Sequence, residues 1–310
     1  MRVSVVVCTY ADEMYEHFRE SVESVRDQTY DDVEVVAVVD GNDALCERVR
    51  DEYGTAGDVQ IHCNDENEGL SASRNKALKY VTGDVVAFID DDAVADDRWI
   101  EELVTTYEEH DALAAGGRMT PLWVDGDPDF LPEEFYWLVG VTHRGFAEAG
   151  EEVRNTFGSN ISFRTDVLEE LGGFDPEVGR RGESNLQAEE PLLGAQLRDR
   201  YGAGVVYNPD AEVAHKVFDY RNNPAWLFER AFWQGYSKRA MEAIVDGDGG
   251  PDAAAVEESA FLRKLAVEFV PARLRSLAAA PSWTKVVQLV LLVTLTAMVG
   301  AGYLYGVLRW

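Results

Sequence analysis

Apolar and polar positions along this chain alternate between two rhythms. VSVVVCTY (3–10), VEVVAVVD (33–40) and VVAFID (85–90) are short apolar runs of the length of a buried strand. Between them, the stretch from Glu16 to Asp27 and the segment LSASRNKALKYV (70–81) place their apolar residues at helical spacing. Strands separated by helices predict a parallel α/β sheet with right-handed connections and both faces covered. In such sheets ligands bind at the carboxyl ends of the strands. Three strand ends therefore belong together: Thr9-Tyr10-Ala11-Asp12, Asp40-Gly41-Asn42-Asp43 and Asp90-Asp91-Asp92.

Beyond Asp111 the pattern loosens. LAAGGRM and TFGSNISFR are further strand candidates, with the aromatic run FLPEEFYWLVG between them. Residues 224–245 predict an amphipathic helix opened by Pro224, and DGDGGPD (246–252) has the composition of a linker. Residues 286–307 contain no charge and are long enough to cross a bilayer. Arg263, Lys264, Arg273, Arg275 and Lys285 precede this stretch and only Arg309 follows it among basic residues, which predicts a single span with the large N-terminal part on the cytoplasmic side of the cell membrane. The segment AFLRKLAVEFVPARLRSLAAAPSW mixes basic and apolar residues, as a helix lying on a membrane surface does. The expected organisation is a catalytic α/β domain over 1–220, membrane-proximal helices and linker over 221–285, and a transmembrane helix over 286–307.

Composition changes the picture in two ways. Asp plus Glu number 57 against 28 Lys plus Arg, a formal charge of −29 spread along the whole chain, and only six of the basic residues are Lys. That balance resembles adaptation to high salt, where screening makes self-repulsion tolerable, and it excludes a nucleic-acid-binding face. Cys8, Cys46 and Cys63 form no CxxC pair, so reduced buried thiols are expected.

Charge also poses the central question of chemistry. A buried strand that ends on Asp90, Asp91 and Asp92 concentrates like charges, and a positive partner is needed there. Hard Mg²⁺ or Mn²⁺ takes oxygen ligands and keeps substrate phosphates in its shell. In D-x-D spacing on a turn the first and third side chains face one way and the middle one another.

VVCTYAD, VVDGND, NEGLSASRNKAL, FIDDDA, GSNISFRTDVLEELGGF and AEEPLLGAQLR resemble, in order and spacing over residues 3–218, the inverting family 2 glycosyltransferases of GT-A fold. With the membrane tail and the acidity, the resemblance extends to archaeal members that elongate dolichyl-phosphate-linked sugars for surface-layer N-glycosylation. It implies a Rossmann-like nucleotide-sugar-binding domain, a UDP-sugar donor, glucuronosyl transfer and a dolichyl-phosphate-linked hexose as acceptor. It places Thr9, Tyr10 and Asp12 around the nucleoside, Asp40 at the uracil edge, Arg74 on the nucleotide, and Asp90 with Asp91 at its ribose side. Asp92 becomes the metal ligand, completed by His215, and Ser159 and Asn160 stand beside donor or acceptor sugar. The family's base is the second residue of a Glu-Asp pair; here the pair is Glu189-Glu190, so either carboxylate is a candidate. For a glucuronate carboxylate, Arg118, Arg144, Arg154, Arg164, Arg180 and Arg181 are candidates. Two other readings remain: a dolichyl-phosphate sugar synthase, whose acceptor phosphate needs no base, and a non-catalytic membrane-anchored binding protein.

Overall fold

The computed structural model describes residues 1–178, 188–245 and 261–309. Strands β1 (Val3–Thr9), β2 (Val33–Asp40), β3 (Val59–Asn64) and β4 (Val85–Asp90) are parallel, in the spatial order β3-β2-β1-β4. Helices α1 (Tyr15–Arg26), α2 (Asp43–Tyr53) and α3 (Leu70–Ala77) connect them. The sheet continues past β4 with antiparallel strands: β5 (Ala93–Ala95), β6 (Ala114–Trp123), β7 (Glu152–Val153), β8 (Ile161–Arg164) and β9 (Val205–Val217). Helices α4 (Trp99–His110), α5 (Thr165–Leu171) and α6 (Glu189–Tyr201) complete this part.

The two-residue period of the strands sends alternate side chains to opposite faces and so divides the core in two. Val3, Val5 and Val7 pack with Phe18 and Val22 of α1, Leu45 and Val49 of α2, and Trp99 and Leu103 of α4. Val6, Val36, Val38 and Phe88 pack on the other face with Val167, Leu168, Leu193 and Leu197. Strand β3 and helix α2 go beyond the three-strand reading. VQIHCN is an edge strand with only its end residues buried, so its sequence interleaves Gln, His and Asn where a central strand has valines.

The cysteines require a correction. Cys46 on α2 and Cys63 on β3 are joined as a disulfide with their Cα atoms 6.1 Å apart, and only Cys8 is a free thiol. Seventeen residues separate them in sequence, and only the packing of α2 beside β3 brings the pair within bonding reach.

The described residues divide into two compact units that do not follow chain order: those within 1–122, 147–178 and 189–216 form one, and those within 123–146, 188, 217–245 and 261–309 the other. The second unit contains a 3-10 helix (Glu133–Val139), α7 (Pro224–Val245), a π-helical turn (Leu265–Phe269), α8 (Val270–Ala279) and α9 (Trp283–Val307). The 246–252 linker reading lies outside the described residues. Helix α9 has 25 residues, and its most apolar 18-residue stretch has a mean hydropathy of 1.9, long and apolar enough to cross a membrane. It buries one stripe, Leu291, Leu292, Leu295, Gly302 and Gly306, and exposes another that includes Val290, Val293 and Leu304. Glycines bring α7 and α9 to backbone contact: a Cβ on Gly302 would lie 1.8 Å from the Phe232 carbonyl oxygen, and one on Gly235 would lie 1.9 Å from that of Val299. Of the basic residues before α9, Arg273 is turned inward, with Nε and a terminal nitrogen on the buried Glu134 carboxylate and Nη1 2.6 Å from Gln288 Oε1.

Candidate active site

β2, β1 and β4 are neighbours in parallel register, so their carboxyl ends share one edge of the sheet; Cys8 lies opposite Val38 on one side and Asp90 on the other. Thr9 is buried there, while Tyr10 is 61% exposed and Asp12 opens a short 3-10 turn on the surface. Asn42 links the first two strand ends, because its Oδ1 caps α2 at the Leu45 amide and its Nδ2 donates to the Tyr10 carbonyl.

Asp40 shapes the loop that leads into α3. Its Oδ1 accepts from Asn64 Nδ2 (2.8 Å) and the Glu68 amide (3.0 Å), and its Oδ2 accepts from the Gly69 amide (2.9 Å). Gly41, at φ 70°, is pressed against this loop, and a Cβ there would sit 2.1 Å from the Asn67 nitrogen. Asn64 and Ser73, which motif reading passed over, complete the buried set by a 3.0 Å bond.

Arg74 of α3 is turned inward. Its side chain is 4% exposed, lies 5.5 and 5.1 Å from the Phe88 and Phe174 ring centres, and joins three groups. Nη1 donates to Glu190 Oε1 (3.1 Å), and Nη2 to Asp90 Oδ1 (2.9 Å) and the Gly158 carbonyl (2.9 Å). Burial opposes its charge, but Asp90 and Glu190 outweigh that cost and raise its pKa above the ordinary arginine value.

The first and third aspartates of the cluster meet different partners. Asp90 faces Arg74, while Asp92 is buried with its Oδ1 3.4 Å from His215 Nε2. The antiparallel pairing of Ala93 with His215, and the Lys216 amide bonded to the Asp92 carbonyl, bring together residues more than 120 positions apart. Lys216 is itself buried, with Nζ 3.0 Å from His17 Nδ1 and in contact with Glu20, both on α1. Burial pushes Asp91 up to about 7, with Asp92 and Asp90 adding repulsion. Burial raises Asp90 as well, against the pull of Arg74. Burial likewise pushes the Cys8 thiol up to about 12, too high for a thiolate nucleophile at neutral pH.

Among the described residues no three His, Cys, Asp or Glu side chains form a closed metal cage. Asp92 and His215 still suit a hard divalent ion, which takes one or two protein carboxylates and fills the remaining positions with water and substrate phosphate.

Ser159 and Asn160 belong to the frame. Ser159 Oγ accepts from the Asp90 amide (2.9 Å), which holds the end of β4. Asn160 is fully buried, and all four side-chain hydrogen bonds open to it are made: Oδ1 accepts from Trp99 Nε1 and the Gly117 amide, and Nδ2 donates to the carbonyls of Arg118 and Ala211. The structure does not bring Asn160 into open space beside a sugar. Glu189 is buried and Glu190 half-buried at the start of α6. Of the arginine candidates, Arg118 pairs with Glu212 and Arg164 with Asp111; Arg180 and Arg181 lie outside the described residues.

At the carboxyl ends of the parallel strands, where α/β sheets bind ligands, strand-end carboxylates, an inward arginine and the first turn of α6 come together. The chain belongs to glycosyl transferase family 2, whose model matches residues 4–172. It is 51% identical over 309 residues, 99% of this chain and 97% of its relative, to the glucosyl-dolichyl phosphate glucuronosyltransferase of Haloferax volcanii. Its fold is similar to a mannosyltransferase of Pyrobaculum calidifontis solved with GDP-Man and Mn²⁺, at a TM-score of 0.63, 19% identity and coverage of 99% of this chain and 87% of the other. It is also similar to Staphylococcus aureus TarS 1–349 in complex with UDP-GlcNAc, at 0.57 and 17%, covering 98% and 89%. The fold is GT-A, and the protein is a glycosyltransferase.

Proposed function

We propose that this enzyme moves glucuronate from a UDP-sugar to the hexose of a dolichyl-phosphate-linked acceptor, with inversion, at the cytoplasmic face of the cell membrane, as a step of surface-layer N-glycosylation. The observation that carries this reading is the 51% identity to the Haloferax enzyme over 99% of this chain. Single-pass anchoring by α9, with the basic positions before it, keeps the site beside a lipid-borne substrate.

In this reading Thr9, Tyr10 and Asp12 border the nucleoside, Asp40 sets the loop at the base edge, and Asp90 and Asp91 border the ribose. Asp92 and His215 would hold Mg²⁺ or Mn²⁺. When bound, that ion offsets the charge of the departing diphosphate and balances the aspartate cluster. Arg74 supplies fixed positive charge between the donor-side Asp90 and the base. Glu190 takes the proton of the attacking hydroxyl, which is what an alcohol acceptor needs and a phosphate acceptor does not. Glu189, buried in the first turn of α6, is the second candidate.

The test is a panel of UDP-sugars against dolichyl phosphate and hexosyl-dolichyl phosphate, using purified full-length protein in detergent and high salt. Transfer of glucuronate to the hexosyl lipid is expected, and Glu190→Gln should slow it about 10²- to 10⁴-fold. Transfer to dolichyl phosphate itself, with both glutamine variants active, would make the enzyme a lipid-phosphate sugar synthase instead. Failure to turn over any nucleotide sugar would leave a non-catalytic binding protein.

A further inference from the structure

The one departure from the family pattern at the base has a structural counterpart across the site. A glutamate at 190 reaches one methylene further than an aspartate, and the space it reaches into is made by Gly158. A Cβ placed on Gly158 would stand 1.9 Å from Glu190 Oε1 and 2.9 Å from Arg74 Nη1. Gly158 is not among the glycines at positive φ, so its backbone makes no demand for glycine; the glutamate does.

We infer that Gly158 and Arg74 form a seat that fits a glutamate, and not an aspartate, as the base at position 190. This rests on the reading of Glu190 given above. Gly158 supplies room on one side and its carbonyl fixes Arg74 Nη2, while Arg74 Nη1 receives the carboxylate. Neither wall can retreat. Arg74 is enclosed by Phe88 and Phe174 and tied to Asp90. The residues after Gly158 are pinned by the Ser159 bond to the Asp90 amide and the saturated Asn160. A methyl added at Gly158 is therefore accommodated by the one mobile group in reach, the end of the Glu190 side chain. Gly158 is a positioning residue, and its loss moves the base without unfolding the protein.

The experiment compares Gly158→Ala, Glu190→Asp, Glu190→Gln and the double variant Gly158→Ala/Glu190→Asp in the full-length enzyme. It reads kcat, donor KM and the thermal midpoint. Gly158→Ala should lower kcat about 10- to 10²-fold, less than complete loss of a general base, with donor KM and midpoint unchanged. An aspartate withdraws the carboxylate by about 1.5 Å, one carbon–carbon bond. The double variant should then outperform the product of the two single losses, a favourable coupling between the two positions. Normal kcat in Gly158→Ala beside an inactive Glu190→Gln would overturn the seat and leave the base standing. Multiplicative losses in the double variant would also overturn it. A fully active Glu190→Gln would overturn the reading of the base and the seat with it.

Discussion

Asn160 ties three elements together: its carboxamide holds the Trp99 indole on α4, the Gly117 amide and Arg118 carbonyl on β6, and the Ala211 carbonyl on β9. Asn160→Ala should therefore lower stability by about 3 kcal/mol or more, since several buried polar groups lose partners worth about 1–3 kcal/mol each. Thermal melting checks this; an unchanged midpoint with a raised acceptor KM would mark a sugar contact instead. His143 is a largely enclosed titratable side chain of the second unit. It packs edge-on to Phe146 and Phe261, and burial, with Lys238 and Lys264 adding repulsion, pushes it down to about 4 from an ordinary 6.5. A depressed histidine contributes nothing above pH 6.5, where both states are neutral, and destabilises the fold increasingly as pH falls from 6.5 through 4 because the unfolded chain binds the proton first. The full gap corresponds to at most about 3 kcal/mol. Melting curves taken between these pH values should drop less steeply in His143→Gln than in the native protein.

At the scale of elements, the buried ion pair of Glu134 and Arg273 joins the 3-10 helix to α8, and Arg273 reaches on to Gln288 of α9. Such a pair stabilises little against an apolar replacement, but half of one is costly. Arg273→Ala should destabilise the second unit by about 3–5 kcal/mol, and Arg273→Met combined with Glu134→Gln should recover most of that loss. Chemical denaturation of the two variants in one detergent measures the difference, and equal losses would show that the carboxylate tolerates isolation. This pairing also bears on anchoring: one of the basic residues before α9 has its charge neutralised inside the unit and adds little to a positive membrane-facing surface.

At the scale of the whole molecule, a formal charge of −29 makes the folded state repel itself, and salt shortens the range of that repulsion from about 8 Å at 0.15 M to about 3 Å at 1 M. The thermal midpoint should rise as potassium chloride increases over that interval and beyond. A flat or falling midpoint would mean that the acidic surface is neutral toward stability.

Strands β1, β2 and β4, the carboxylates at their ends and the terminal apolar helix were legible because each depends on neighbours in sequence, through the two-residue period of a strand, the 3.6-residue period of a helix, or an uncharged run long enough for a bilayer. Asp92 and His215 were named from a family pattern, and the β5–β9 register sets them side by side. Other features came only with the tertiary structure. Arg74 and Glu190 are 116 residues apart, Asn160 and Ala211 are 51 apart, and Cys46 and Cys63 lie on different elements. No local periodicity encodes such meetings, since they depend on which faces the packed sheet and helices turn toward each other. Gly158 shows the limit most clearly: in the sequence it is one small residue in TFGSNISFR, and only the folded chain shows that its missing methyl is the space occupied by Glu190.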